Sequence, residues 1–197
     1  MIGLLLALAL GLTVEQDAPA QKLFEAGNYD AVIQRAEQER EGRSNSPETT
    51  FFVSQAYIRK EQPDRAREEF GRLKDLSGDE AWKAIGESGD ALAGGDAGSA
   101  INHARRAIEA DGNNPYAHYQ LGLSAARQGD FGTASRAFAR SVELKNDLAY
   151  AHYFAGISYQ RTRNLPKAAE HFEAFLRLAP SAPERGAVMG IMKTLRG

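Results

Sequence analysis

At 197 residues, with 43% hydrophobic and 25% charged side chains, the chain can build one globular domain or a short array of stacked units. A formal net charge of -2 and an isoelectric point near 6.1 argue against the basic face of a nucleic-acid binder, so no nucleic-acid partner is expected. Having no cysteine excludes disulfides, thiol catalysis, thiolate metal sites and a lipid-modified N-terminal cysteine, and it is compatible with either redox compartment.

The first element is an apolar run from Ile2 to Val14, interrupted only by Gly3, Gly11 and Thr13. It is too short to span a bilayer and has the length of a secretory signal core. Ala18-Pro19-Ala20 comes next with small residues at signal-peptidase spacing, and Ala9-Leu10-Gly11 is an alternative. We therefore expect residues 1–20 to be a signal peptide. A cleaved chain is periplasmic or secreted, with no stable transmembrane segment left after export; an uncleaved one is cytoplasmic. No Lys or Arg stands near Met1, which departs from the usual signal, and the other reading is an apolar first helix packed on the rest of the chain.

Beyond this run the chain repeats itself every 34 residues. Tyr116, His118, Tyr119, Gly122, Ala134 and Phe138 recur as Tyr150, His152, Tyr153, Gly156, Ala168 and Phe172. Such a period marks units that cannot bury their apolar faces alone and must stack. Extended backward, the frame gives units 13–46, 47–80, 81–114, 115–148 and 149–182. Each holds two helical stretches around a turn: Gly27-Asn28, Gln62-Pro63-Asp64, Gly95-Asp96, Gly129-Asp130 and Arg163-Asn164. Second helices are predicted to open at Tyr29-Asp30, Pro63-Asp64, Ala97, Phe131 and Leu165-Pro166.

Two units look weak. Gly86, Gly89 and Gly94-Gly95 fall on the first helix of the third unit, each internal glycine costing about 1 kcal/mol, so this unit is expected to be loose and hinge-like. In the first unit Pro19 falls at a helix-interior position, which leaves a short first helix. The array, residues 21–182, is succeeded by a cap helix over 183–197. There Ser181-Ala182-Pro183-Glu184 reads as a capping box, and Ala187, Val188, Ile191, Met192 and Leu195 share one face. This element serves either to cover the end of the stack or to bind a partner.

The residues resemble the tetratricopeptide repeat. The fifth unit carries Ala155-Gly156, Tyr159, Leu165, Ala168, Phe172, Phe175 and Pro180; the fourth carries Leu121-Gly122, Gly129-Asp130-Phe131, Ala134, Phe138 and Ser141; the second carries Val53-Ser54, Tyr57, Ala66, Phe70 and Leu73. The resemblance implies an all-α superhelical solenoid of about five helix-turn-helix units. It also implies a concave groove lined by the second stripe of each first helix. Here that stripe is Tyr116, Tyr119, Gln120 and Leu123, then Tyr150, Tyr153, Phe154 and Ile157, with Trp82, Phe51 and Phe52 as extensions into earlier units. The same rings suit either a protein-binding surface or packing between neighbouring helices.

Arg59, Arg127 and Arg161 share one repeat position at the ends of first helices. They complement the helix dipole or form a basic edge to the groove. The expected groove comprises Trp82, Tyr116, Tyr119, Gln120, Leu123, Arg127, Tyr150, Tyr153, Phe154, Ile157 and Arg161. Catalysis has no foundation in the sequence. His118 and His152 occupy a packing position, with no acidic or cysteine partner at metal-ligand spacing, and Gly94-Gly95-Asp96-Ala97-Gly98 is a turn without the Lys and Ser/Thr of a phosphate loop. The expected function is a non-catalytic, envelope-located scaffold that binds a protein or peptide, without cofactor or metal. The alternative is a self-associating assembly module or an accessory subunit of a larger envelope complex.

Overall fold

The structure, a computed structural model, describes residues 18–42, 46–76 and 78–196. The apolar run Ile2–Val14 lies outside the described residues. Among those described there are eleven helices and no strand: α1 (Ala20–Glu25), α2 (Tyr29–Glu41), α3 (Pro47–Arg59), α4 (Pro63–Leu76), α5 (Glu80–Ala93), α6 (Ala97–Ala110), α7 (Pro115–Gln128), α8 (Phe131–Leu144), α9 (Ala149–Arg161), α10 (Leu165–Leu178) and α11 (Arg185–Arg196). They form a solenoid of antiparallel helix pairs, α1/α2 through α9/α10, closed by α11. No helix among the described residues is long and apolar enough to cross a membrane.

Local chemistry sets the helix starts. Side chains of Ser46, Asp79, Asp96, Asn114, Asp130 and Asn164 accept hydrogen bonds from the first-turn amides of α3, α5, α6, α7, α8 and α10. Hydrogen bonding to Ser99 and to Thr133 holds the Asp96 and Asp130 carboxyls below the usual carboxylate range. Pro19 sits just before α1, so that helix is only six residues long. Between paired helices the chain reverses through a left-handed residue every 34 positions: Gly27, Glu61, Gly95, Gly129 and Arg163, with φ of 81°, 57°, 89°, 86° and 60°. Glycine adopts this conformation freely, whereas Glu61 and Arg163 do so under strain.

Packing obeys the same period. Val32, Ala66, Ala100, Ala134 and Ala168 are fully buried where the two helices of a unit cross. Within the fourth and fifth units the rings of Phe138 and Phe172 lie against Gly122 and Gly156, where an added Cβ would stand 2.7 and 2.6 Å away. The third unit departs from this. Ala104 stands at the Phe position, and Ser88 Oγ donates to the Ala100 carbonyl at 2.7 Å. Phe70 of the preceding unit instead reaches forward onto α5. A Cβ on Gly89 would lie 2.2 Å from its ring, and one on Gly86 would lie 2.6 Å from its carbonyl oxygen. These glycines are therefore close-approach sites between α4 and α5, which corrects the expectation of a loosened hinge.

The C-terminus brings a second correction. Val188 and Met192 of α11 are buried on the end of the stack, while Ala187 is exposed. Ser181 and Glu184 form no capping box, because Glu184 turns away from Ser181 to Arg59 of α3 and Tyr150 of α9.

Candidate functional site on the concave face

The first helices α3, α5, α7 and α9 line the inside of the superhelix, and their rings meet each other across it. Tyr116 lies 5.1 Å from Phe51, 5.9 Å from Phe52 and 5.2 Å from Trp82, centroid to centroid. Tyr119 touches Phe51, Phe138 and Phe154 at 5.7, 5.6 and 6.2 Å. Each such pair adds about 0.5–1.5 kcal/mol beyond area burial. Helix α1 then closes the concave side, with Phe24 5.6 Å from Phe52 and 5.1 Å from Tyr150.

The predicted groove residues consequently divide. Tyr116 and Tyr150 are buried in this inner aromatic core and contribute no open surface, and Trp82 and Tyr153 pack half-buried against the core. Burial raises the phenol pKa of Tyr116, Tyr119, Tyr150 and Tyr153, so all four hydroxyls keep their protons. Arg161 is exposed, its guanidinium 4.7 Å from the Phe131 ring centroid on the outer side of the fourth unit.

The remaining six come together. Tyr119, Gln120, Leu123, Arg127, Phe154 and Ile157 line one open cavity of about 520 Å³. Its other walls come from residues outside the expected groove, chiefly Phe24, Gln55, Ile58, Arg59, Phe70 and Leu92. Arg59 had a legible signal, since it shares the repeat position of Arg127 and Arg161. Phe24 had none, because its place depends on how the short α1 folds back. Tyr119 is nonetheless 4% exposed and engaged by three rings, so its truncation removes core as well as cavity wall. It is not a surface anchor that can be cut without loss of stability.

Polar groups in the cavity are few. Gln120 is fully buried, and neither its Nε2 nor its Oε1 has a hydrogen-bond partner. Arg127 is exposed and has no ion-pair partner among the described residues. Arg59 is engaged: its Nη2 donates to Glu184 Oε1, and its guanidinium lies 4.8 Å from the Tyr150 ring centroid. Burial, the largest single influence, works against the Arg59 charge, but the Glu184 carboxylate together with the Tyr150, Tyr29 and Tyr119 hydroxyls outweighs it and raises the pKa.

The histidines lie elsewhere. His118 Nε2 stands 3.0 Å from the Gly112 carbonyl oxygen. His152 and His171 face each other with Nδ1 atoms 3.0 Å apart, and the His171 ring stacks on Tyr159. Burial, then the neighbouring His152, pushes His171 down to about 4, and burial lowers His152 as well. Such a contact requires one ring to donate and the other to accept, so it survives protonation of one ring and is lost once both are charged.

A family model described as tetratricopeptide repeat matches residues 87–149 and 119–183. No curated protein matches the sequence. The structure is similar to TTC0263, a thermophilic repeat protein of this kind from Thermus thermophilus: TM-score 0.64, 16% identity, covering 90% of this chain and 95% of that one. It is also similar to YrrB, described as having an unusual peptide-binding site, with TM-score 0.53, 19% identity and coverage of 84% and 81%. A third is the first such domain of Spaghetti (RPAP3), bound to the HSP90 peptide SRMEEVD, with TM-score 0.53, 19% identity and coverage of 59% and 93%. At these identities the likeness shows a shared fold.

Proposed function

We propose that this chain, which belongs to the tetratricopeptide repeat family, is a non-catalytic scaffold that holds a segment of a partner protein in the cavity on its concave face. The observation that carries this reading is the orphaned Gln120 amide. Burying such a group without a partner costs about 1–3 kcal/mol, and a leucine or methionine there would avoid the cost. Gln120 lies in the cavity wall with no exposed surface of its own, so a peptide reaches it by displacing the side chains that cover it, and the amide then donates to a backbone carbonyl and accepts from a backbone N–H. The volume of about 520 Å³ is of the size that accommodates ligand groups. Ile58, Leu92, Leu123 and Ile157 offer apolar walls, and Arg127 at the rim offers an uncommitted cation. The occupant is accordingly an extended segment with an aliphatic or aromatic anchor and a nearby acidic residue. The two neighbours whose descriptions mention peptides support this reading by analogy of fold.

Panning random phage-displayed peptides on the immobilised protein tests the reading. Enriched sequences should place a large apolar residue within a few positions of Asp or Glu, and Gln120→Met and Arg127→Ala should each abolish the enrichment. No common motif, or the same motif on both variants, refutes it. We further place the protein in the cell envelope, on the strength of the apolar run Ile2–Val14 and the Ala18-Pro19-Ala20 just beyond it. N-terminal sequencing of mature protein should then find Gln21 first, and a mature chain beginning at Met1 defeats that assignment.

A further inference from the structure

The two ends of the array touch. Gln21 Nε2 donates to the Asp147 carbonyl at 2.8 Å, and Glu25 Oε1 accepts from the Ala149 amide at 2.9 Å. Gly27 lies against Pro183, so closely that a Cβ would stand 2.8 Å from its Cγ. At the centre of this seam is one carboxylate. Glu184, in the loop before α11, takes the Arg59 guanidinium on one oxygen and the Tyr150 hydroxyl, at 2.5 Å, on the other. Helix α3 and helix α9 are thereby tied together, and Arg59 is a wall of the cavity.

We propose that Glu184 is an internal carboxylate ligand of Arg59, and that the seam is an autoinhibitory clasp opened when an acidic side chain of the partner takes its place. The exchange of one carboxylate for another leaves Arg59 paired throughout, so no buried charge is stranded. The displaced Glu184 passes to water, where a carboxylate is well solvated. Desolvation of these mostly buried side chains, 28% and 16% exposed, offsets much of their attraction, so the net contribution of the pair is small enough for a ligand to compete with it. The contacts at Gln21 and Glu25 keep the closed state favoured in the ligand's absence. The identity of the competitor rests on the cavity reading above; the clasp itself does not.

Because the chain has no cysteine, cysteines introduced at the exposed Gln62 and Lys193 take spin labels at those two places alone. Pulsed electron paramagnetic resonance on the labelled chain should give a narrow distance distribution. Glu184→Gln should lengthen and broaden it, while Glu109→Gln, at an exposed position of α6, should not. If Glu184→Gln lowers the folded fraction, Tyr150→Phe, which removes only the hydroxyl, carries the same test. An unchanged distribution in these variants overturns the clasp.

The probes are the peptides acetyl-Leu-Phe-Glu-amide and acetyl-Leu-Phe-Gln-amide, in the residue order of Leu23–Glu25. The acidic peptide should broaden the distribution of the native sequence and the neutral one should not. Glu184→Gln should tighten binding of the acidic peptide about tenfold, as expected when a closed form dominates by that ratio. Equal binding of both peptides, unaffected by Glu184→Gln, overturns the carboxylate exchange. A seam that opens in Glu184→Gln while neither peptide binds any form supports the clasp and sinks the cavity reading instead.

Discussion

Gly89→Ala separates two accounts of the third unit by sign. If glycine merely loosens α5, alanine adds about 1 kcal/mol of helix propensity and the protein gains stability. The packing says otherwise. The new Cβ would lie 2.2, 2.3 and 2.5 Å from three Phe70 ring atoms, whereas ordinary contact begins at 3.4 Å, so the ring must retreat by about 1.2 Å. Phe70 is 2% exposed, so a retreat toward the neighbouring cavity takes the ring out of its packing. Overpacking of this kind costs about 1–3 kcal/mol, here at the upper end, which leaves a net loss of about 2 kcal/mol after the propensity gain.

For a chain of this length that is a fall in Tm of about 4–8 °C. Gly190→Ala on α11, where nothing lies within 4 Å of the new Cβ, is the control and should gain about 1 kcal/mol. Urea unfolding monitored both by far-ultraviolet circular dichroism and by fluorescence of the single tryptophan, Trp82 on α5 itself, reads the change globally and locally. Coincidence of the two transitions licenses the free energies, which a repeat array does not guarantee. A higher midpoint for Gly89→Ala, matching Gly190→Ala, would refute the packing argument.

Other expectations rest on single features. Glu61→Gly and Arg163→Gly should each raise stability by about 0.5–1 kcal/mol, since relief of left-handed strain exceeds the added entropy of the unfolded chain; chemical denaturation measures both. Gln120→Met should stabilise the unliganded protein by about 1 kcal/mol or more while losing the selected peptides, a split that thermal melting and panning read separately. The His152–His171 pair makes stability depend on pH. Both folded pKa values lie below the ordinary 6.5, so the unfolded chain binds more protons in this range. The pair's contribution is then full above pH 6.5 and is lost as pH falls toward about 4. His171→Phe should flatten that slope in urea midpoints measured across the range, and an undiminished slope would place its origin elsewhere.

The period made most of the fold readable. Turn residues at 34-residue spacing gave starts for the second helices at Tyr29-Asp30, Pro63-Asp64, Ala97, Phe131 and Leu165-Pro166, and the structure begins them at Tyr29, Pro63, Ala97, Phe131 and Leu165. Helix caps and left-handed turns are local, so a few neighbouring residues suffice to specify them. The Ser181–Glu184 box misled because its spacing is local whereas the partners of Glu184 are more than thirty residues away in the chain. Gly89 misled for the same reason: its glycine is explained by Phe70 of another unit.

By itself, then, the sequence determined an all-α solenoid and the stripe of residues that faces its inside. Only the tertiary structure decided that Tyr116 and Tyr150 are core, that Tyr119, Gln120, Leu123, Arg127, Phe154 and Ile157 face a cavity, and that Arg59 is already held by Glu184. The physical reason is curvature. A repeat motif fixes which face of each helix turns inward, but small rotations summed over the units determine how tightly the array closes on α1.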